Sequence, residues 1–293
     1  MHGKTTHKLR NTLLAGVALG ALAMTGTAQA ASLEEIQESG TIRIAVANEI
    51  PYGYIDPNGE AKGAGPDVAS YVMSELGIEN IEWITTEFSS LIPGLQADRF
   101  DMVAAEMAIL PQRCEQVIYS SPTTSYGEGL LVAEGNPSGV HAYSDFADNP
   151  DLTVAIMAGA DQLDMLQALG VSEGQMVTIN SNADAISTVS TGRADAYAAT
   201  GLTVGELDNR SDAVEAASDF VDPVIDGTEI RSWGGFTFAQ GSETLRDAVN
   251  EVLAEYQQTE EWSSTLAGYG FTEADINGVF NATTEELCAE SPM

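Results

Sequence analysis

The chain has 293 residues, 44 of them acidic and 11 basic, for a formal net charge of −33 at pH 7. So negative a surface argues against nucleic acid and anionic membranes as partners, and the 44% hydrophobic content argues against an extended acidic coil. It repels itself in dilute buffer but is screened over roughly 10 Å in 0.1 M salt and about 3 Å in 1 M salt, which suits a folded protein bathed in brine.

Lys4, Lys8 and Arg10 open the chain and are followed by an apolar run, Leu13 to Met24. That run is shorter than the roughly 20 residues needed to cross a bilayer. With Ala28-Gln29-Ala30 behind it, the pattern predicts a signal peptide over 1–30, cleaved after Ala30, and export to the periplasm. No cysteine stands at the cleavage point to carry a lipid anchor, and no later run is long enough to span a membrane. The mature chain is expected to be soluble, with 8 basic residues against 44 acidic ones, about −36.

Next come short apolar runs alternating with helical stretches, the mark of α/β layers. Thr41 to Ala47 reads as a strand, Asp67 to Leu76 as a helix stopped by Gly77, and Ile81 to Thr85 as a second strand. Leu91 to Ala97 reads as a short helix, Asp101 to Ala105 as a third strand, and Pro111 to Val117 as the start of another helix with proline in its first turn. The plan then recurs: strand Leu152 to Met157, helix Gln162 to Leu169, strand Met176 to Ile179, helix Ala183 to Ser190, strand Asp195 to Ala199. Two extended runs, Gly129 to Ala133 and Ser232 to Ala239, are fit to cross between the halves, and a helix from Glu243 to Tyr256 opens the tail. The expected architecture is two similar α/β lobes, the first from 31–128 and 232–293 and the second from 129–231. Their strand ends would face each other across a shared cleft.

Cys114 and Cys288 are the only cysteines. In an oxidising compartment such a pair is expected to be bridged, which would tie the tail to the first lobe. Two cysteines make no metal site alone, and His141, the only histidine after residue 30, has no cysteine or histidine nearby to join it. Neither a metal nor a cofactor is expected. Gly63 and Gly65 lack full dinucleotide-loop spacing and read as turn glycines. The two matches to the glycosylation pattern, at Asn209 and Asn281, are attributed to chance.

Four separated stretches carry a family likeness: IRIAVANEIPYGYIDPNGEAKGAGPDVASYVMSELG, EFSSLIPGLQADRFDMVAAEMAILPQRCEQVIYSSP, MAGADQ and VSTGRADAYAAT. In this order they resemble the polar-amino-acid family of periplasmic solute-binding proteins, over nearly the whole chain after the signal. Within that family the wording is most similar to the ectoine/hydroxyectoine-binding receptors of ABC importers. The resemblance implies a type II periplasmic-binding-protein fold, a small zwitterionic ligand (ectoine or hydroxyectoine), handover to ABC permease subunits in the inner membrane, a monomer and no enzymatic activity.

It also implies site residues. The arginine of the Pro-x-Arg motif, Arg113, would grip the ligand carboxylate through its planar fork of donors; pairing with Glu115 is the plain alternative. Where relatives that bind free α-amino acids usually carry an aspartate for the ammonium, this chain has Thr200. That fits a ligand whose cation is delocalised, unless another acid such as Asp161 has moved in. Glu49, Tyr52 and Phe88 lie just past the first two strands, suited to an aromatic and acidic surround of a diffuse cation, although lone aromatics there also serve as core. A third aromatic expected near Ala108 is missing, and Tyr126 or Met107 is the candidate substitute. Glu106 is a ligand contact or a structural acceptor. Gly159, Ala160 and Asp161 form a loop with free backbone N–H groups, in which Asp161 is alternatively a plain helix cap.

Two rival readings accompany this one. A polar amino-acid or betaine receptor would share the whole plan. Cyclohexadienyl dehydratases resemble these receptors, and Glu49, Glu106 or Asp161 would then serve as general acid. A receptor-kinase sensor would need a membrane helix after the lobes, and none precedes Met293.

Overall fold

The computed structural model describes residues 1–3 and 32–289, so residues 4–30 of the expected signal peptide and its cleavage point lie outside the described residues. Within them, two sheets form the frames of two lobes. The first runs in the order Asn80–Thr85, Thr41–Val46, Met102–Ala108, Ser232–Ala239 and Val117–Tyr119, with Thr124–Tyr126 also paired to Ser232–Ala239. The second runs Met176–Ile179, Val154–Met157, Ala196–Thr200, Glu128–Ala133 and Val214–Ala216. In each, the first three strands are parallel and the next is antiparallel. This is the expected α/β fold of the type II periplasmic-binding proteins, with a sheet in each lobe.

Both faces of each sheet are covered, so the central strands are buried on both sides. In the first lobe Ile42, Ile44, Met102 and Ala104 pack against Val68, Val72, Leu245, Leu253 and Trp262. On the other face Ala45, Val103 and Ala105 meet Leu91, Leu95 and Tyr119. In the second lobe Leu130, Val132, Val154 and Ile156 pack with Tyr143 and Phe146, while Leu131, Ala155 and Tyr197 face Ala185, Val189 and Val204. The short apolar runs of the sequence therefore feed four half-cores.

The chain leaves the first sheet after Tyr126, enters the second at Glu128, and returns to the first at Ser232, where Ser232 pairs with Tyr126. The two connections thus lie side by side. The extended runs themselves belong to one sheet each, and the chain crosses between the sheets outside them.

Several elements differ from the sequence reading. The third strand continues to Ala108 rather than ending at Ala105, which carries Glu106 and Met107 onto it. The helix expected from Pro111 to Val117 is a single turn, Pro111–Cys114, and Val117 already starts the strand Val117–Tyr119. The helix expected from Asp67 starts earlier, spanning Ala64–Glu75, so Gly65 is not a turn glycine but sits in its first turn. A Cβ on Gly65 would lie 2.6 Å from the Ala104 carbonyl oxygen, a contact that only glycine avoids. That close approach seats the helix directly on the strand bearing Glu106.

Cys114 and Cys288 are bridged, joining the turn Pro111–Cys114 to the tail helix Thr284–Ala289. Among the described residues no helix is long and apolar enough to cross a membrane.

Candidate functional site

The parallel strands of both sheets end toward a common cleft, as expected of open α/β sheets. There lies a small cavity of about 30 Å³, room for about one water molecule. From the first lobe, Glu49, Tyr52, Phe88, Glu106 and Tyr126 line it; Met157, Asp161, Gln162, Tyr197 and Thr200 come from the second. Six of the residues singled out in the sequence as site residues therefore meet here: Glu49, Tyr52, Phe88, Glu106, Asp161 and Thr200.

Three others do not stand in the wall. Met107, a candidate substitute for the missing aromatic, packs instead in the first lobe's core with Leu91, Leu95 and Tyr119. The other candidate, Tyr126, does reach the cavity, and its ring meets that of Tyr52 edge-on at 5.3 Å. Arg113 and Gly159 sit behind the wall and hold each other. The guanidinium donates from one nitrogen to the Ala108 carbonyl and from the other to the Gly159 carbonyl, both at 2.9 Å. Arg113 is only 7% exposed and lies 5.7 Å from the centre of the Phe88 ring. No ion pair joins it to Glu115 among the described residues.

Further hydrogen bonds cross the cleft. Tyr52 donates its hydroxyl to Thr200 Oγ1 at 2.8 Å, and Thr200 in turn accepts from the Thr203 backbone N–H, capping the helix Gly201–Asp208. Glu49 Oε1 accepts from Asn182 Nδ2 and Thr203 Oγ1, each at 3.0 Å. Gln112 donates to Asp164 at 2.9 Å. Thr200 is thus both a helix cap and a strut between lobes. Asp161 stands at the N-cap position of the helix Gln162–Ala168 but makes no side-chain bond to it; its carboxylate accepts from the Ser232 hydroxyl at 3.4 Å.

The acids are kept from water, and that sets their chemistry. Desolvation raises Glu49 above the usual carboxylate range, against the lowering effect of its two hydrogen bonds. Burial pushes Glu106 up to about 7, again only partly offset by the Thr123 and Thr124 hydroxyls. Glu128, behind the wall, is also raised, first by desolvation and next by the nearby Asp161. It accepts from Gln162 at 2.7 Å and from the Tyr143 hydroxyl at 3.3 Å. The surroundings hold several acids and one guanidinium, and a guest with a positive charge would favour the ionised form of those acids.

The model of the bacterial extracellular solute-binding proteins, family 3, matches residues 42–272. The chain belongs to this family. A probable amino-acid ABC transporter periplasmic-binding protein of Sinorhizobium fredii is 56% identical over 264 residues, covering 89% of this chain and 87% of the relative. The L-cystine-binding protein of Bacillus subtilis is 22% identical, covering 76% and 81%. Among solved structures, that of EhuB in complex with hydroxyectoine is 31% identical with a TM-score of 0.80, covering 88% of this chain and 98% of EhuB. An ancestral amino-acid-binding protein, a precursor of cyclohexadienyl dehydratase, is 26% identical with a TM-score of 0.70, covering 81% and 98%. The two named relatives are solute-binding proteins by name, and one of the two structures is of a precursor of an enzyme.

Sequence reasoning misses Tyr197, Gln162 and Met157. Tyr197 stands within a strand between alanines, where nothing distinguishes it from core. Gln162 lies inside the MAGADQ stretch and is legible as part of the loop, though not as a wall residue. Asn182 and Thr203, which anchor Glu49 from the opposite lobe, carry no local signal at all.

Proposed function

We propose that this family-3 protein is a periplasmic receptor that captures a small zwitterion, of the ectoine or hydroxyectoine class, and delivers it to the permease of an ABC importer. The observation that carries the reading is the cavity wall, in which Glu49, Glu106 and Asp161 stand among the rings of Tyr52, Phe88, Tyr126 and Tyr197. Aromatic faces and carboxylates together suit a diffuse cation, each ring adding about 0.5 to 2 kcal/mol. The similarity to EhuB, in complex with hydroxyectoine, supports the ligand class. The surplus of acid in the chain fits a host living in salt, where such solutes are needed.

In this reading Arg113 turns one of its nitrogens from the Gly159 carbonyl to the ligand carboxylate as the lobes part and re-close. Ligand pockets run from about 300 Å³ upward, so the present 30 Å³ has to grow for a solute to enter. Residues of both lobes then share the guest. The expected working form is a monomer, and no enzymatic step is assigned.

A receptor for a polar amino acid is the second reading, favoured by the name of the Sinorhizobium fredii relative. Calorimetric titration in high salt separates the two. Heat from ectoine or hydroxyectoine at micromolar concentration, with none from the common amino acids, is the expected result. Silence from both ectoines at millimolar concentration together with heat from an amino acid would replace the first reading by the second.

A further inference from the structure

Glu106 is the anomaly of the cleft. It lies in the strand Met102–Ala108, which is buried at every residue, yet its backbone has φ of +51°, in the left-handed region. Non-glycine residues seldom adopt it. The turn breaks the alternation of the strand, so that Ala105, Glu106 and Ala108 all reach the cavity. The neighbouring strand lies close against this turn: a Cβ at Gly234 would lie 2.6 Å from the Glu106 carbonyl oxygen.

The carboxyl group is only half used. Oε2 accepts from the hydroxyls of Thr123 and Thr124, the latter at 2.8 Å. Oε1 is buried and has no hydrogen-bond partner among the described residues, in a residue only 2% exposed. A buried acceptor left without a donor costs roughly 1–3 kcal/mol, and this one belongs to a group lining the cavity. Beside Oε1 is Gly65, where a Cβ would lie 3.2 Å from it. The helix therefore offers no side-chain donor there, and the residue that bears Oε1 lines the cavity.

We propose that Glu106 is the specificity-determining residue of the cleft, its Oε1 accepting a hydrogen bond from a ligand N–H, so that the receptor takes zwitterions with a protonated nitrogen and rejects quaternary ones. The inference rests on the reading of the cleft as a zwitterion site, but not on the ligand being ectoine. Cations without N–H can still be held by rings, but they leave Oε1 unpaired. Those with N–H satisfy it by a charge-assisted bond, stronger than a neutral one.

The groups facing Glu106 are Glu49 from the end of the first strand, Asp161 from the second lobe and the Tyr126 hydroxyl, which donates to the Glu106 carbonyl at 3.0 Å; the Arg113 guanidinium lies behind the wall. Among the described residues no side chain, these two acids included, is hydrogen-bonded to Oε1. A ligand N–H is thus the group that completes the carboxylate and drives off any proton it holds.

The test uses the whole mature chain and its E106Q variant, titrated by calorimetry in high salt with ectoine, L-arginine and octopine, which carry N–H donors, and with glycine betaine and proline betaine, which do not. Thermal melts first establish that E106Q folds. The expected result is binding of an N–H-bearing zwitterion at least thirtyfold tighter than either betaine, and a loss of tenfold or more in E106Q without a matching loss for the betaines. Titrating the wild-type chain in buffers of different ionisation enthalpy keeps the proposal testable if E106Q does not fold: binding near pH 6.5 should release protons, and less so at pH 8.5. If ectoine is silent but arginine or octopine binds and E106Q weakens it, the ectoine reading falls and the role of Glu106 stands. Betaines binding as tightly as N–H ligands, an E106Q affinity within twofold of wild type, or no proton release would overturn the role of Glu106 alone. Silence from every compound would overturn both.

Discussion

Arg113 and Gly159 face each other across the cleft, the guanidinium of one lobe donating to the backbone carbonyl of the other at 2.9 Å. The second nitrogen holds the Ala108 carbonyl of its own sheet, so a single side chain spans the gap. Among the described residues it has no carboxylate partner. Its charge is therefore free to be matched by a ligand.

Arg113→Ala should weaken zwitterion binding by about 2 kcal/mol or more, roughly thirtyfold, because a desolvated carboxylate would lose its charged partner. Arg113→Lys should recover little of it, since a point charge cannot bridge two acceptors as the planar fork does. Calorimetry on both variants, with circular dichroism to show that they fold, reads the effect. An affinity within tenfold of wild type in the alanine variant would place the guanidinium outside the ligand's reach.

The bridge Cys114–Cys288 closes a loop of 174 residues. In the chain-entropy model that constrains the unfolded state by about 5 kcal/mol, although measured gains are often smaller. Cys114 directly follows Arg113, so the bridge also pins the short turn that aims the guanidinium. The double variant Cys114→Ser with Cys288→Ser should melt lower by several degrees and bind zwitterion more weakly, whereas a surface staple would change only the melting. Two titratable thiols in the denatured, unreduced wild-type chain would contradict the pairing.

How much of this is legible in the sequence depends on the range of each interaction. Strands such as Met176–Ile179 and Ser232–Ala239 follow from local apolar runs, and their expected and observed bounds agree. The strand through Glu106 reads short because a glutamate ordinarily ends a buried run; here Thr123 and Thr124, 17 and 18 residues on, satisfy half of its carboxyl group. Val117–Tyr119 does not read as a strand because its partner, Ser232–Ala239, lies far along the chain. The site shows the same division. Glu49 and Phe88 are found by their place after strands, while Tyr197 and Asn182 enter only through the packing of one lobe on the other.

The acid pocket gives stability a pH dependence whose sign follows from Glu106. Its ordinary value of 4.5 is pushed up to about 7 in the fold. Between those values the native state holds a proton that the unfolded chain has released, so this group's contribution falls as pH rises from 4.5 to 7 and is level above. The whole span amounts to about 3 kcal/mol as an upper bound. Glu49 and Glu128 are raised as well and act in the same direction. Glu106→Gln, which carries no charge at any pH, isolates one share: its melting temperature relative to wild type should climb by several degrees between about pH 5 and pH 8. A constant difference over that range would mean that Glu106 ionises normally in the fold.

Closure is the last expectation, and Tyr52 is the residue that tests it. Glu49, Tyr52, Phe88, Glu106 and Tyr126 reach the cavity from one lobe, and Met157, Asp161, Gln162, Tyr197 and Thr200 from the other. Neither set surrounds a small zwitterion alone, so a ligand binds the closed arrangement better and shifts the population toward it. Solution scattering should show the radius of gyration falling when saturating ligand is added. Tyr52 donates across the cleft to Thr200 at 2.8 Å. Tyr52→Phe keeps the ring and removes that bond, worth about 1 kcal/mol net, so the closed state loses roughly fivefold in population relative to the open one. Where the open form dominates without ligand, affinity should fall by the same factor, while ligand at saturation should still compact the variant. A radius that does not respond to ligand in the wild-type chain, with binding shown by calorimetry, would mean that the lobes do not move on capture. An unchanged affinity in Tyr52→Phe beside a responsive radius would mean that this bond forms equally in both states.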